Sequence, residues 1–212
     1  MAIVVIGGHS RNIGKTSVVC ALIAAMPERC WTAIKITQCK HDVAQGEACD
    51  CELADQSVAI SEEHDATAGT DSSRYLAAGA VRSLWVRTRR DQLAEAMPRI
   101  RAEIARANSV ILESNSVLGF LKPDLYASVL DAQVSDFKAS ALQHLDRADA
   151  ILLPASLIES KWTGASLNLI ERIPKFRIMP PSYCSDEFAS FVAQKLGKDI
   201  SALREFEAAR LG

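Results

Sequence analysis

Gly7-Gly8-His9-Ser10-Arg11-Asn12-Ile13-Gly14-Lys15-Thr16-Ser17 is the stretch on which the fold turns. It follows the apolar run Ala2-Ile3-Val4-Val5-Ile6 and leads into Val18-Val19-Cys20-Ala21-Leu22-Ile23. That order reads as strand, glycine-rich turn, helix, the context in which Gly-Lys-Thr signals a phosphate-binding loop. The backbone N–H groups of Asn12, Ile13, Gly14, Lys15, Thr16 and Ser17 are expected to wrap a phosphate chain, and the helix N-terminus adds partial positive charge. Lys15 is expected on the β- and γ-phosphates and the Thr16 hydroxyl on Mg²⁺. The consensus places a glycine where His9 stands, and Gly8 lies one step earlier, so the loop is irregular.

Working outward, 212 residues suit a single domain spanning 1–212 with a core of its own. An apolar content of 49% and a charged content of 24% are ordinary for a globular chain. A net charge of −2 gives no electrostatic reason for a nucleic-acid or anionic-membrane partner. No basic segment precedes the first apolar run, and the polar loop interrupts it, so neither a signal peptide nor a membrane span is expected. A cytoplasmic location follows as an expectation, and six cysteines then read as reduced thiols or metal ligands.

Apolar runs alternate with helical patterns along the chain. Strands are predicted at 2–6, 31–37, 81–88, 109–113, 125–131, 150–154 and 176–179. Helices are predicted at 15–26, 72–80, 92–106, 137–146, 165–173, 186–195 and 200–211, with Pro98 set to kink or split the third. The alternation implies an α/β sandwich of three layers, a mostly parallel sheet flanked by helices. Ligands of such sheets sit beyond the carboxyl ends of the strands. The span from Gln38 to Thr70 shows little periodicity and reads as a long loop insert, which needs something to hold it.

Residues at strand ends supply the remaining candidates. Val110-Ile111-Leu112 runs into Glu113, a carboxylate placed to hold Mg²⁺ or position an attacking water. Ser114-Asn115-Ser116 follow and are able to line the same crevice. Gly69-Thr70-Asp71-Ser72-Ser73-Arg74 precedes a helix. Asp71 or Ser72 reads as its cap, Asp71 as a further Mg²⁺ ligand and Arg74 as a phosphate contact. Lys35 lies near the end of an apolar strand, where a phosphate or an acidic substrate would serve as its partner; a solvated edge residue is the other reading. Lys15, Lys35 and Glu113 are the candidate catalytic residues. Arg11 reads either as a neutraliser of charge on the γ-phosphate or as a solvated side chain.

These residues resemble a known family. The phosphate loop, Ile34-Lys35, the segment Gly-Thr-Asp-Ser-Ser-Arg-Tyr-Leu-Ala-Ala-Gly-Ala at 69–80 and Val110-Ile-Leu-Glu-Ser114 are similar to the molybdopterin-guanine dinucleotide biosynthesis adaptor family, MobB. The resemblance covers roughly residues 1–120, and Asp71-Ser-Ser-Arg74 with Ala78-Gly79-Ala80 is its most specific part. It implies a P-loop fold related to dethiobiotin synthetase, GTP or ATP with Mg²⁺, slow hydrolysis and a homodimer. It also implies a molybdopterin-type ligand or a cofactor-maturation protein as partner. In related nucleotide enzymes the base lies near a loop like Met179-Pro180-Pro181-Ser182, which makes Pro181 the candidate base contact. A small-molecule kinase or ATP-dependent ligase of the same superfamily is the alternative. The chain departs from the family at Lys35-Ile36-Thr37, where Lys-His is usual, and at Glu113-Ser114, where Glu-Gly is usual. No Asn-Lys-x-Asp motif follows Ala150–Pro154, so the choice between GTP and ATP stays open.

Cys39, His41, Cys49 and Cys51 stand in the insert at Cys-x-His and Cys-x-Cys spacing. In an extended segment residues i and i+2 point to one side, so each pair suits one metal. A Cys₃His set fits structural Zn²⁺, which would pin the loop; free thiols in a solvated segment are the other reading.

Overall fold

The computed structural model describes residues 1–39, 58–89, 91–154 and 167–197. The strands are β1 (Ala2–Gly8), β2 (Trp31–Cys39), β3 (Val58–Glu63), β4 (Arg82–Arg89), β5 (Ser109–Glu113), β6 (Leu125–Val129), β7 (Ala150–Pro154) and β8 (Lys175–Ile178). The helices are α1 (Lys15–Ala25), α2 (Asp71–Ala77), α3 (Leu93–Ala105), α4 (Ala139–Leu142), α5 (Leu167–Arg172) and α6 (Asp186–Lys195). One sheet holds the eight strands in the order β3-β4-β2-β5-β1-β6-β7-β8. Every neighbouring pair is parallel except β3 with β4.

The apolar runs of the central strands are continuous because both faces are covered. Val4 and Ile6 of β1, Ile111 of β5 and Leu125 and Ala127 of β6 join Val18, Val19, Leu22 and Ile23 of α1, Tyr75 of α2 and Phe188 of α6. Val5, Val110, Leu112 and Tyr126 face the other way, onto Leu93, Ala96, Met97, Ile100 and Ile104 of α3. A third cluster joins Ile151 and Leu153 of β7 to Ile170 and Ile173 at α5. The period of two along each strand therefore divides its side chains between two helical layers, and the chain has the predicted three-layer α/β fold.

Some elements differ from the sequence reading. Part of the expected loop at 38–70 is sheet: β2 runs on to Cys39, and β3 is an antiparallel edge strand. Val58-Ala-Ile-Ser-Glu-Glu63 is short and loses its apolar character halfway, so periodicity does not reveal it, and pairing with β4 makes it a strand. Pro98 does not split α3, which runs from Leu93 to Ala105. Its missing N–H would have met the carbonyl of Ala94, and both residues are on the exposed side, where that carbonyl is open to solvent. The helix expected at 137–146 is broken into α4 and a 3-10 turn at Leu145–Arg147. The helix expected at 200–211 lies outside the described residues. Among those residues, no helix is long and apolar enough to cross a membrane.

Candidate functional site

Beyond the carboxyl end of β1 the chain makes a tight loop into α1. Asn12 at φ 56° and Gly14 at φ 93° are both left-handed, which is strained for a side chain at Gly14 and tolerated by asparagine at 12. A Cβ on Gly7 would stand 2.2 Å from Asn115 Oδ1, so only glycine fits at that strand end. Asn115 uses that approach: its amide N–H donates to the Gly8 carbonyl at 2.8 Å, and its Oδ1 accepts from the Gly8 N–H at 2.9 Å. The loop curls back on itself, with Lys15 Nζ donating to the Ser10 carbonyl at 2.6 Å. Burial pushes the Lys15 ammonium down to about 8, against the opposing pull of Glu113. Strand, left-handed turn, inward lysine and helix stand in the arrangement that the sequence implied. This is a P-loop fold.

The irregular half of the loop has its own support. His9, in place of a glycine, is fully buried, its ring tilted against that of Phe137 with centroids 4.9 Å apart. Its backbone N–H donates to Val129 O at 3.2 Å and its carbonyl accepts from Lys138 N at 2.8 Å. Ser10 Oγ donates to Asp136 Oδ2 at 3.1 Å. The segment 131–138 thus clasps the loop at the position where glycine is usual.

The predicted acidic and basic residues converge next to Thr16. The Thr16 hydroxyl donates to Glu113 Oε2 at 2.7 Å, and the Tyr75 hydroxyl donates to the same oxygen. Lys35 pairs with Asp71 and lies 3.6 Å from Glu113 Oε1. Arg74 reaches Asp71 at 3.5 Å and donates from Nη2 to Ser17 Oγ at 3.0 Å. Thr70 caps α2 by accepting from Ser73 N at 3.0 Å, and Ser83 Oγ ties α2 to β4 through the Ser72 carbonyl at 2.8 Å. Lys35 therefore meets carboxylates, not open space, which answers the cost of its place in an apolar strand.

Tyr75 was not among the sequence candidates. It is fully buried, and desolvation, then the Glu113 charge, hold its phenol far above the usual range, so it stays a donor. Its spacing from Asp71, four residues on a helix, was the available signal, since it puts both on one face of α2. Lys138, half-buried, was also missed; burial and the Arg11 charge lower its ammonium. Arg11 is exposed. The Pro181 loop after β8 approaches the start of α1: a Cβ on Gly14 would lie 3.1 Å from the Tyr183 ring.

Thr16, Glu113 and Asp71 are hard oxygen donors, the set that suits Mg²⁺, which takes one or two carboxylates and fills its other positions with water and phosphate. Among the described residues, no group of three His, Cys, Asp or Glu is arranged for a metal. Of the residues considered for Zn²⁺, Cys39 is buried at the end of β2, and burial raises its thiol; His41, Cys49 and Cys51 lie outside the described residues.

No protein-family model matches the chain, and no curated protein matches it in sequence. Solved structures similar to it include HypB from Helicobacter pylori in complex with nickel, at 15% identity over 91% of this chain and 86% of that one, with a TM-score of 0.48. LpxK from Aquifex aeolicus in complex with ATP matches at 17% identity and a TM-score of 0.47 over 84% of this chain. The chain spans about half the length of LpxK, 53%. MobB from Bacillus subtilis matches at 17% identity and a TM-score of 0.38, over 94% of this chain and all of that one. Each is a distant likeness.

Proposed function

We propose that the chain binds a nucleoside triphosphate, GTP or ATP, with Mg²⁺ in the loop from Gly8 to Ser17 and hydrolyses it slowly. One observation carries this reading. The Lys15 ammonium is drawn out of water into a loop of left-handed turns, beside the Thr16–Glu113 hydrogen bond, and its neighbour there is a carbonyl. A desolvated cation at a helix N-terminus, next to a cluster of oxygen donors, favours a polyphosphate carrying a hard cation. In this reading backbone N–H groups from Asn12 to Ser17 hold the phosphates, with Lys15 and Arg74 as side-chain contacts. Thr16, Glu113 and Asp71 hold the metal, and Pro181 borders the base. Mg²⁺ held there would neutralise the negative charge of the phosphates. Lys35 sets a positive charge beside Glu113, and in this reading Glu113 would orient a water.

The resemblance at Asp71-Ser-Ser-Arg74 and Ala78-Gly79-Ala80 supports a role as adaptor in molybdopterin-guanine dinucleotide biosynthesis. The chain would act there as a single domain, in a homodimer, with a molybdopterin-type ligand or a maturation protein as partner. In a second reading, a small-molecule kinase or ATP-dependent ligase, Lys35, 3.6 Å from Glu113, would meet the acceptor.

Titration of GTP, ATP and their diphosphates with Mg²⁺ by calorimetry tests the shared core of both readings and reveals the base preference. Lys15→Ala is expected to abolish triphosphate binding, since the phosphate charge loses its buried partner. Binding of both triphosphates to this variant at wild-type affinity would overturn the assignment. Phosphate release without transfer to a metabolite separates the first reading from the second.

A further inference from the structure

Side chains 35, 37 and 39 of β2 alternate with Ile34 and Ile36 and face the α1–α2 side of the sheet. Lys35 stands beside Glu113 on one flank and Trp85 on the other, and Trp85 stands beside Ser61. Glu113, Lys35, Trp85 and Ser61 thus form one row across four strands. Thr37, Arg87 and Ala59 form the next row toward the carboxyl ends of β2 and β4.

These two rows are joined by side chains. The Trp85 indole N–H donates to Thr37 Oγ1 at 3.0 Å. Arg87 folds back along its strand until its guanidinium lies 4.5 Å from the centre of the Trp85 ring. A cation on a strand flanked on both sides needs a partner. Lys35 has Asp71 and Glu113. Arg87 has no carboxylate partner among the described residues, and its Nε is buried without a hydrogen bond. The indole meets the guanidinium charge but accepts none of its in-plane N–H bonds. A planar fork of donors fixed against a ring is pre-organised for an oxyanion, which takes two such bonds at once.

We infer that the strip Thr37–Trp85–Arg87 binds a second ligand, a small molecule bearing a carboxylate or a phosphate group. Strand rise and spacing put the Cα of Arg87 roughly 8 Å from that of Lys35. A ligand of a few carbon atoms anchored at Arg87 therefore extends to Lys35 and to the row of Glu113. Its role as acceptor or cargo beside a nucleotide rests on the function proposed above; the recognition of the oxyanion by Arg87 does not.

The test is a set of ¹H–¹⁵N titrations of the full chain, with and without Mg²⁺ and ATP, GTP or a nucleoside diphosphate. The indole signal of Trp85 is assigned through Trp85→Phe. One arm uses small carboxylates, from acetate and succinate to citrate and benzoate; the other uses glycerol phosphate and phenyl phosphate. A saturable shift of the Trp85 indole in one arm is expected, and that arm names the ligand class. Arg87→Gln should weaken it at least tenfold, and Arg87→Lys, which keeps the charge without the fork, should fall between. The Gly14 amide should respond to nucleotide equally in all three proteins. No saturable shift in either arm, or an unchanged shift in Arg87→Gln, overturns the inference while a responsive Gly14 amide keeps the nucleotide reading. A Trp85 response with a Gly14 amide silent to ATP and GTP supports the strip and removes the nucleotide reading instead.

Discussion

Glu113 is the residue on which the site is hung. It ends a strand that is buried along its whole length, and its Oε2 accepts from both Thr16 and Tyr75. The two donors fix the carboxylate from opposite elements, one from the phosphate loop and one from α2. Hydrogen bonds to a charged acceptor contribute about 1.5–3 kcal/mol. Tyr75→Phe keeps the packing and removes one of them. It should lower stability by about that amount in urea denaturation and steepen the Mg²⁺ dependence of nucleotide binding. An unchanged urea midpoint would show that the hydroxyl adds nothing to the fold. Gly14, Lys15, Thr16 and Glu113 were readable because each carries its chemistry in a local pattern. Tyr75 was not, because its partner is 38 positions away and an aromatic on a helix reads as core.

Among the elements, α2 decides whether the cluster forms at all. It carries Asp71, Arg74 and Tyr75, and it is only seven residues long, too short to be stable alone. Its start is held by the Thr70 side chain, which also donates to Glu63 of β3 at 3.1 Å. Thr70→Ala should therefore cost about 0.5–2 kcal/mol in urea denaturation, and it should weaken nucleotide binding if Asp71 and Arg74 serve as proposed. Wild-type stability in the variant would place the start signal of α2 elsewhere. The segment 69–80 was legible as a helix from its residue types, but its cap is Thr70 and not Asp71 or Ser72 as the sequence suggested, because the Thr70 oxygen is the one that meets the Ser73 N–H. The clasp of segment 131–138 on His9 was not, since a histidine in a glycine position signals only a departure until the fold supplies Phe137 and Val129.

Across the whole molecule, Arg82 ties the edge strand to a helical layer. It makes two bonds to Glu62 of β3 at 2.8 Å each and one to Glu103 of α3 at 2.9 Å. The bonds from Arg82 hold the Glu62 carboxyl below its ordinary value of 4.5. A carboxyl lowered by folding stabilises above its unfolded value, and that gain is lost as pH falls through the folded value. The urea midpoint should therefore drop between about pH 5 and pH 3, and Arg82→Met should flatten the part of the drop that Glu62 contributes. Equal slopes in both proteins would show that the bridge is exchanged for water without loss.

Local order along the chain was enough for the phosphate loop, for the α/β alternation, and for Lys35, Asp71 and Glu113 as the residues to watch. These follow from short-range rules: apolar runs, glycine turns, helix caps. Sheet order, β3 as an edge strand and the row Glu113–Lys35–Trp85–Ser61 came only from the tertiary structure. Register between strands far apart in the chain is set by how their buried faces pack, and no window of neighbouring residues contains that information. The opening stretch, Gly7 to Ser17, thus specifies a loop that suits phosphate, whereas the side chains gathered around it, Tyr75 and Arg87 among them, depend on the order in which the sheet is assembled.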